Sequence, residues 1–371
     1  MANSRNNNHH TTTTGDSNAV NIARIVIVGA GVSGLTCARR LTQLLKKQAY
    51  QILIVEARDR IGGRTFSIPE LNLDLGASWI FPDHTAVRTL ANELHIDTLE
   101  QYESGLSLIQ TNGSNVQPIN MGGIHGGVKR LKGGTNSLCT AMVRELTSGK
   151  QSNVIISLNS PVVNIDYTNN GIITVTLRDQ HSIIADYVIL ALPPRLLLST
   201  IRLTPALPST VIEKLHKCVT WMASTCKTIL IYEHAWWRMR NFSGFAVSRH
   251  SKAQEWHDAS SETCNALFVF CLAGTTKQEV IDATVRMFGA EAANPSAVHI
   301  ADWSTEVFTS TSTADGRGGH PHLSSICRQA QWNGRLWLSS SEVSDADGGF
   351  LEGAVRRGIQ VADQLAILIE I

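Results

Sequence analysis

The stretch Ile25-Val26-Ile27-Val28-Gly29-Ala30-Gly31-Val32-Ser33-Gly34 is a short β-branched run that closes on three spaced glycines. Gly29 lets the chain leave a strand in a tight turn, Gly31 removes a side chain where backbone must approach a pyrophosphate, and Gly34 lets the following helix pack on the sheet. The start of that helix presents unpaired N–H groups and the positive end of its dipole to the phosphates. Downstream, Leu35, Ala38, Leu41 and Leu45 share one helical face. Glu56 ends a second apolar run roughly 20 residues past the last glycine, where a carboxylate accepts hydrogen bonds from a ribose diol. The combination predicts a dinucleotide site at the front of the chain. The plainer alternative is a βαβ unit with an ordinary glycine-rich turn.

The whole chain sets the bounds. At 371 residues, 43% apolar, it predicts about two domains with ample core. A net charge of +1 without a basic or acidic block indicates neither nucleic acid nor an anionic membrane as partner. No apolar run approaches the roughly 18 residues that span a bilayer. Seven scattered cysteines without CxxC or Cys/His spacing argue against a disulfide framework or a metal site. They are expected to be buried thiols in a reducing compartment. Residues 1–22 are polar without an apolar h-region, which predicts a disordered tail and a cytoplasmic protein.

Further along, Glu56 to Ser67 is a loop with a glycine pair and three arginines, and Leu73 to Phe81 runs from an alternating strand into an apolar turn. The glycine-dense segment from Gly122 to Gly134 reads as a surface loop. Short alternating runs between Val154 and Ala185 predict an antiparallel meander, beginning with VIISL. Asp186 to Pro194 is nearly all apolar, as a strand buried on both faces of a parallel sheet would be. From Leu215 to Phe288 strands alternate with helices in a second domain, and the chain ends in a strand, a glycine turn and a long amphipathic helix. In CKTILIY, Lys227, Ile229 and Ile231 fall on one face. A lysine facing inward among isoleucines is uncommon without a function, whereas an outward-facing strand lysine would be unremarkable.

Taken together and in order, GAGVSG with Glu56, EARDRIGGR, LDLGASW, LKGGTNSL, VILALPP, CKTILIYEHAWWR, Trp303 and SSEVSDADGGFLEGA resemble the flavin-dependent amine oxidase superfamily of monoamine and polyamine oxidases. The resemblance extends over most of residues 23–371. It implies FAD along the first domain, with Glu56 on the adenosine ribose and Arg64, Gly62 and Gly63 near the pyrophosphate. Arg58, Gly76, Ala77, Ser78 and Trp79 would also contact the cofactor, and Glu342 would face its ribityl and pyrophosphate region. Val163 would bond the adenine through its backbone, and the Leu351 N–H would face the pyrimidine carbonyl of the flavin. Lys227 matches the family lysine that holds a water at flavin N5, Trp303 would pack beside the ring, and Phe350 would form one wall of an aromatic cage.

This chain departs from the family in four places. Ser312 stands where some members carry the cysteine that links to flavin, and no cysteine lies between Cys271 and Cys327, so non-covalent FAD is expected. No aromatic residue is found at Thr313 or nearby for a second cage wall. The stretch between LDLGASW and LKGGTNSL is shorter than in typical members, which predicts a more open entrance or one completed by a partner chain, leaving a homodimer open. Ser78-Trp79-Ile80 follow the LGA turn where amino-acid oxidases place an arginine, which disfavours an α-amino acid.

The resulting expectation is an α/β fold: a Rossmann-like FAD-binding domain with a parallel sheet and an antiparallel meander, plus an α+β substrate domain. The first would comprise residues 23–80, 128–214 and 304–371, the second residues 81–127 and 215–303. The expected function is oxidation of an amine to an imine with dioxygen reduced to hydrogen peroxide, on a secondary, cyclic or bulky amine. A flavin-dependent dehydrogenase or desaturase and a catalytically silent flavoprotein scaffold are the rivals. An NAD-dependent dehydrogenase is disfavoured, because EARDRIGGR and SSEVSDADGGFLEGA have no role in such a site.

Overall fold

In a computed structural model, residues 22–46, 48–113, 115–123, 126–149, 152–168, 170–311 and 319–370 are described. The expectations for the tail before residue 22, for Ser312 and for Thr313 fall outside them. The opening run forms the strand Ala23–Val28, flanked in parallel by Tyr50–Val55 and Tyr187–Leu190. Leu336–Leu338 and Val154–Ser157 complete a five-stranded parallel sheet at its edges. Ile25, Ile27, Ile52, Ile54 and Ile189 enter one core, while Val26, Val28, Val188 and Leu190 enter another on the opposite face. Near-continuous β-branched sequence follows from that two-sided burial.

The structure corrects the start of the meander. Val154–Ser157 pairs in parallel with Tyr50–Val55. An edge strand with one covered face has the same alternation as a meander strand, and here Val154 is buried while Ile155 is exposed. The meander itself is Val162–Tyr167, Ile173–Leu177 and Ser182–Ala185, with Arg202–Thr204 added in parallel beside the first. The glycine-dense segment is also only partly a surface loop. Gly122, Gly123, Gly126 and Gly127 are exposed, but Lys129–Leu131 pairs with Thr98–Glu100, and Arg130 and Leu131 are buried.

The second region is less helical than its sequence suggests. Five strands between Thr225 and Asp302, joined by Leu106–Asn112 and Asn115–Ile119, form a seven-stranded sheet. Its one long helix, Lys277–Phe288, covers the face away from the parallel sheet through Val280, Ala283 and Met287. Within residues 81–127, the helix Thr85–Glu93 packs into the first core through Val87, Leu90 and Ala91. Among the described residues no helix is long and apolar enough to cross a membrane.

The opening helix Val32–Leu44 and the closing helix Leu351–Glu370 cross in backbone contact. A Cβ at Gly358 would lie 2.6 Å from the Ser33 carbonyl oxygen and 3.1 Å from the Cys37 nitrogen. Ser33 and Ser339 hydroxyls meet at 3.0 Å, and buried Arg357 donates to the carbonyls of Leu338 and Arg328 at 2.9 and 3.0 Å. Gly358→Ala therefore has to separate the helices. A loss of about 1–3 kcal/mol, typical of overpacking, is expected in chemical denaturation; an unchanged midpoint would contradict this close crossing.

Candidate active site

Both strand-to-helix corners open onto one cavity of about 1030 Å³ at the carboxyl ends of the parallel strands. It is at the upper end of small-molecule sites, and this crevice is where open α/β sheets bind ligands. Gly29, Gly31, Val32 and Ser33 border it from the first corner, and Ser340, Ser341, Phe350 and Leu351 from the last.

The three glycines divide by environment. Gly29 has φ +109° and a Cβ there would sit 2.6 Å from the Ala191 carbonyl oxygen, while a Cβ on Gly34 would overlap the Gly29 carbonyl oxygen. Both are excluded by the protein's own backbone. Gly31 differs, with ordinary φ of −80° and no atom nearer to an added Cβ than the Gly62 carbonyl oxygen at 3.8 Å. The protein's own atoms leave that space open. The opening helix has no side-chain cap, which leaves its first N–H groups for an anion.

Around this corner, Glu56 is buried and accepts the N–H groups of Ala30 at 2.9 Å and Arg58 at 3.0 Å. The Arg58 guanidinium is held by Glu306 at 3.0 Å and by Thr309 at 2.7 Å. Gly62, Gly63 and Arg64 border the cavity from the next loop. Arg64 forks onto Glu342 at 2.5 and 3.0 Å. Burial raises the Glu342 carboxyl pKa, but the Arg64 guanidinium outweighs it and holds the group below its ordinary value. Glu342 itself lies beneath Arg64, fully buried, and reaches the cavity only through it. At the meander, Val162 borders the cavity and Val163, set in a bulge between Val162 and Asn164, does not.

The opposite wall is the seven-stranded sheet. Lys227, Phe270 and Glu255 are in register across three neighbouring antiparallel strands, and all three border the cavity. Lys227 is 3% exposed. Its ammonium donates to the Gly76 carbonyl at 2.9 Å and to the Ser78 hydroxyl, and lies 4.2 Å from the Phe268 ring centre. Burial pushes its pKa down to about 7, Asp74 opposes that, and Arg130 adds to it. Ser78, Asp74 and Arg130 also line a separate cavity of about 110 Å³ behind the lysine. Trp79, adjacent to Ser78, packs against His257, Phe268 and Phe270. Gly76 and Ala77 line the main cavity beside them, and Trp303 borders it with its indole N–H on the Leu75 carbonyl at 2.9 Å.

Phe350 borders the cavity but does not stand alone. His320 stacks on it at 4.2 Å, and Trp221 lies 3.9 Å from His320. Spacing from Trp303 leads to neither residue in the sequence. Trp221 arrives instead from the segment before the lysine strand Thr225–Tyr232.

Comparison with known proteins agrees with this geometry. The profile of the flavin containing amine oxidoreductase family matches residues 111–366, and that of an NAD(P)-binding Rossmann-like domain matches residues 27–94. The putative flavin-containing monoamine oxidase AofH of Mycobacterium tuberculosis is 41% identical over 92 residues, which is 24% of this chain and 19% of that protein. A probable flavin-containing monoamine oxidase A of Dictyostelium discoideum is 22% identical, covering 92% of this chain and 97% of its own. In structure, cyclohexylamine oxidase from Brevibacterium oxydans superposes with a TM-score of 0.79 at 20% identity, covering 94% of this chain and all of that one. A putrescine oxidase with putrescine bound superposes at 0.75 and 21% identity, covering 92% and 98%. The chain belongs to the flavin-containing amine oxidoreductase family. It is an FAD-dependent oxidoreductase of the amine oxidase type.

The buried lysine has a measurable signature. Between about pH 7 and its ordinary 10.5, the unfolded chain holds a proton at this site that the folded chain has released. Stability therefore rises with pH through that window. Relative to Lys227→Met, the wild type should gain stability from pH 7 upward, with a constant difference below 7. A difference flat across the whole range in chemical denaturation would mean the ammonium is solvated.

Proposed function

We propose that this protein is an amine oxidase that converts an amine to an imine and reduces dioxygen to hydrogen peroxide, on a secondary, cyclic or bulky amine. The observation that carries the reading is the buried Lys227 ammonium on the wall facing two helix-opening corners. The residues present fit FAD: an open space at Gly31, an uncapped helix start, a carboxylate at Glu56 and an arginine at Arg64. When bound, FAD supplies the acceptor for a hydride equivalent and the route of electrons to dioxygen.

The chain's own residues do the rest. Glu56 holds the ribose, and the bare backbone at Gly31, Gly62 and Gly63 with Arg64 receives the pyrophosphate. Glu342 fixes the Arg64 guanidinium. Leu351, opening the closing helix, presents its N–H to the far end of the cofactor, favouring negative charge there. Lys227, titrating near neutrality, holds a water or moves a proton at its ammonium. Trp303 and Phe350 confine the substrate. Stacking of Trp221, His320 and Phe350 makes one continuous aromatic wall, which supports a bulky amine lying along it better than a small one clamped between two rings. FAD is held without a covalent bond, because each of the seven cysteines is a buried free thiol and the linking position is Ser312. We assign the parallel sheet and meander to cofactor binding and the seven-stranded sheet to substrate, with the helix Thr85–Glu93 belonging to the first.

Two experiments test this. The purified protein should show a visible flavin spectrum that bleaches anaerobically with bulky or cyclic amines and recovers in air with stoichiometric peroxide. Bleaching without peroxide would instead favour a dehydrogenase, and no bleaching by any amine a silent scaffold. Separately, Gly31→Val should leave the apoprotein's thermal midpoint nearly unchanged yet abolish FAD retention on gel filtration. Full retention would remove Gly31 from the proposed cradle.

A further inference from the structure

We propose that Cys226 and Cys271 are a redox-active pair that hydrogen peroxide closes into a disulfide. The two residues oppose each other on adjacent antiparallel strands whose register is unbroken from Thr225–Leu272 to Tyr232–Asn265. Directly opposed antiparallel residues have Cα atoms about 4.5–5.5 Å apart. A disulfide accepts about 4.4–6.8 Å, so no strand needs to move far. The Thr228 hydroxyl lies 3.8 Å from the Cys271 sulfur.

Their surroundings differ from those of the other cysteines. Cys37, Cys139 and Cys218 are pushed up by burial. One interaction between the two sulfurs holds the Cys226 thiol below its ordinary value, against its own burial, and pushes the Cys271 thiol far up. Of the two, Cys226 is the thiol that loses its proton first, and Cys271 stands directly opposite it to resolve the product. Both side chains lie in the core beneath the Lys277–Phe288 helix, on the face of the sheet opposite Lys227. Cys271 nevertheless borders the main cavity next to Phe270. Peroxide formed in that cavity meets Cys271 at its wall and has to pass it to reach Cys226, which is fully buried.

The chemistry balances. The Cys226 thiolate attacks one oxygen of peroxide, the O–O bond breaks, and hydroxide leaves to take up the thiol's released proton as water. The Cys271 sulfur then displaces the hydroxyl from the Cys226 sulfenic acid, the S–O bond breaks, and a second water leaves with the Cys271 proton. Two thiols are oxidised and one peroxide is reduced to two waters. The new bond would join the strands at the residues adjoining Lys227 and Phe270, which clamps the wall that bears them.

The test uses the flavin-loaded protein. After exposure to added hydrogen peroxide, its removal, and denaturation in the presence of an alkylating reagent, two of the seven cysteines should escape alkylation, and peptide mapping should find Cys226 joined to Cys271. The link should disappear on dithiothreitol treatment and be absent from Cys271→Ala, which keeps an apolar side chain in the core. Both thiols remaining alkylatable, or passing to sulfinic acid without a cross-link, would overturn the proposal, and mapping of the wild type alone decides it. A second arm supplies an amine that bleaches the flavin, in air, with and without catalase, and this arm alone rests on the oxidase reading. Closure prevented by catalase supports the whole proposal. Closure by added peroxide but not by turnover supports the thiol pair and counts against the oxidase reading.

Discussion

Backbone contact between the opening and closing helices at Gly358 is the constraint on which the cavity depends. Two strand-to-helix corners more than three hundred residues apart can border one cavity only if their helices run side by side, and no side chain fits at their crossing. The hydroxyl pair Ser33–Ser339 and the buried Arg357 guanidinium, bonded to two carbonyls, keep the crossing in register. The Arg64–Glu342 fork repeats the linkage closer to the cavity. Loss of Arg64 alone would strand a fully buried carboxylate, which is far more costly than replacing both partners together.

The fold was legible wherever local pattern and long-range burial agree. Glycines in a β-branched context mark the first strand-turn-helix, and the nearly all-apolar run Asp186 to Pro194 reads as a strand covered on both faces of a parallel sheet, within which Tyr187–Leu190 forms that strand. The pattern failed where two architectures share one signature. Val154–Ser157 alternates like a meander strand because a sheet edge also has one covered face. The segment at Lys129–Leu131 looks loop-like because glycines surround it, yet Arg130 is buried against the Ala259 and Ser260 carbonyls. A long-range partner decided that case, and sequence spacing does not display it.

The same distinction governs the candidate site. The face shared by Lys227, Ile229 and Ile231 could be read from alternation, and the lysine is buried as expected. Its surroundings could not. Ser78 lies 149 residues away in the chain and Asp74 farther still; Asp74 ends the strand Leu73–Asp74 and Ser78 comes from the turn after it. Trp221 and His320 are likewise distant from each other in sequence and adjacent in space. Neither lies in the sequence neighbourhood of Trp303.

Period-two geometry gives the lysine strand two different chemistries. Position 227 puts an ammonium on the cavity side, where desolvation brings its titration near neutrality and so makes both protonation states accessible at working pH. Position 226 puts a thiol on the core side, opposite another thiol on the next strand. A one-residue slip would exchange the two faces, placing a charge beneath the Lys277–Phe288 helix and a thiol against the proposed flavin. Unbroken pairing across this strand is therefore needed by both groups at once. Its interior residues, including Thr228, Ile229 and Leu230, are buried, and that burial pins the register.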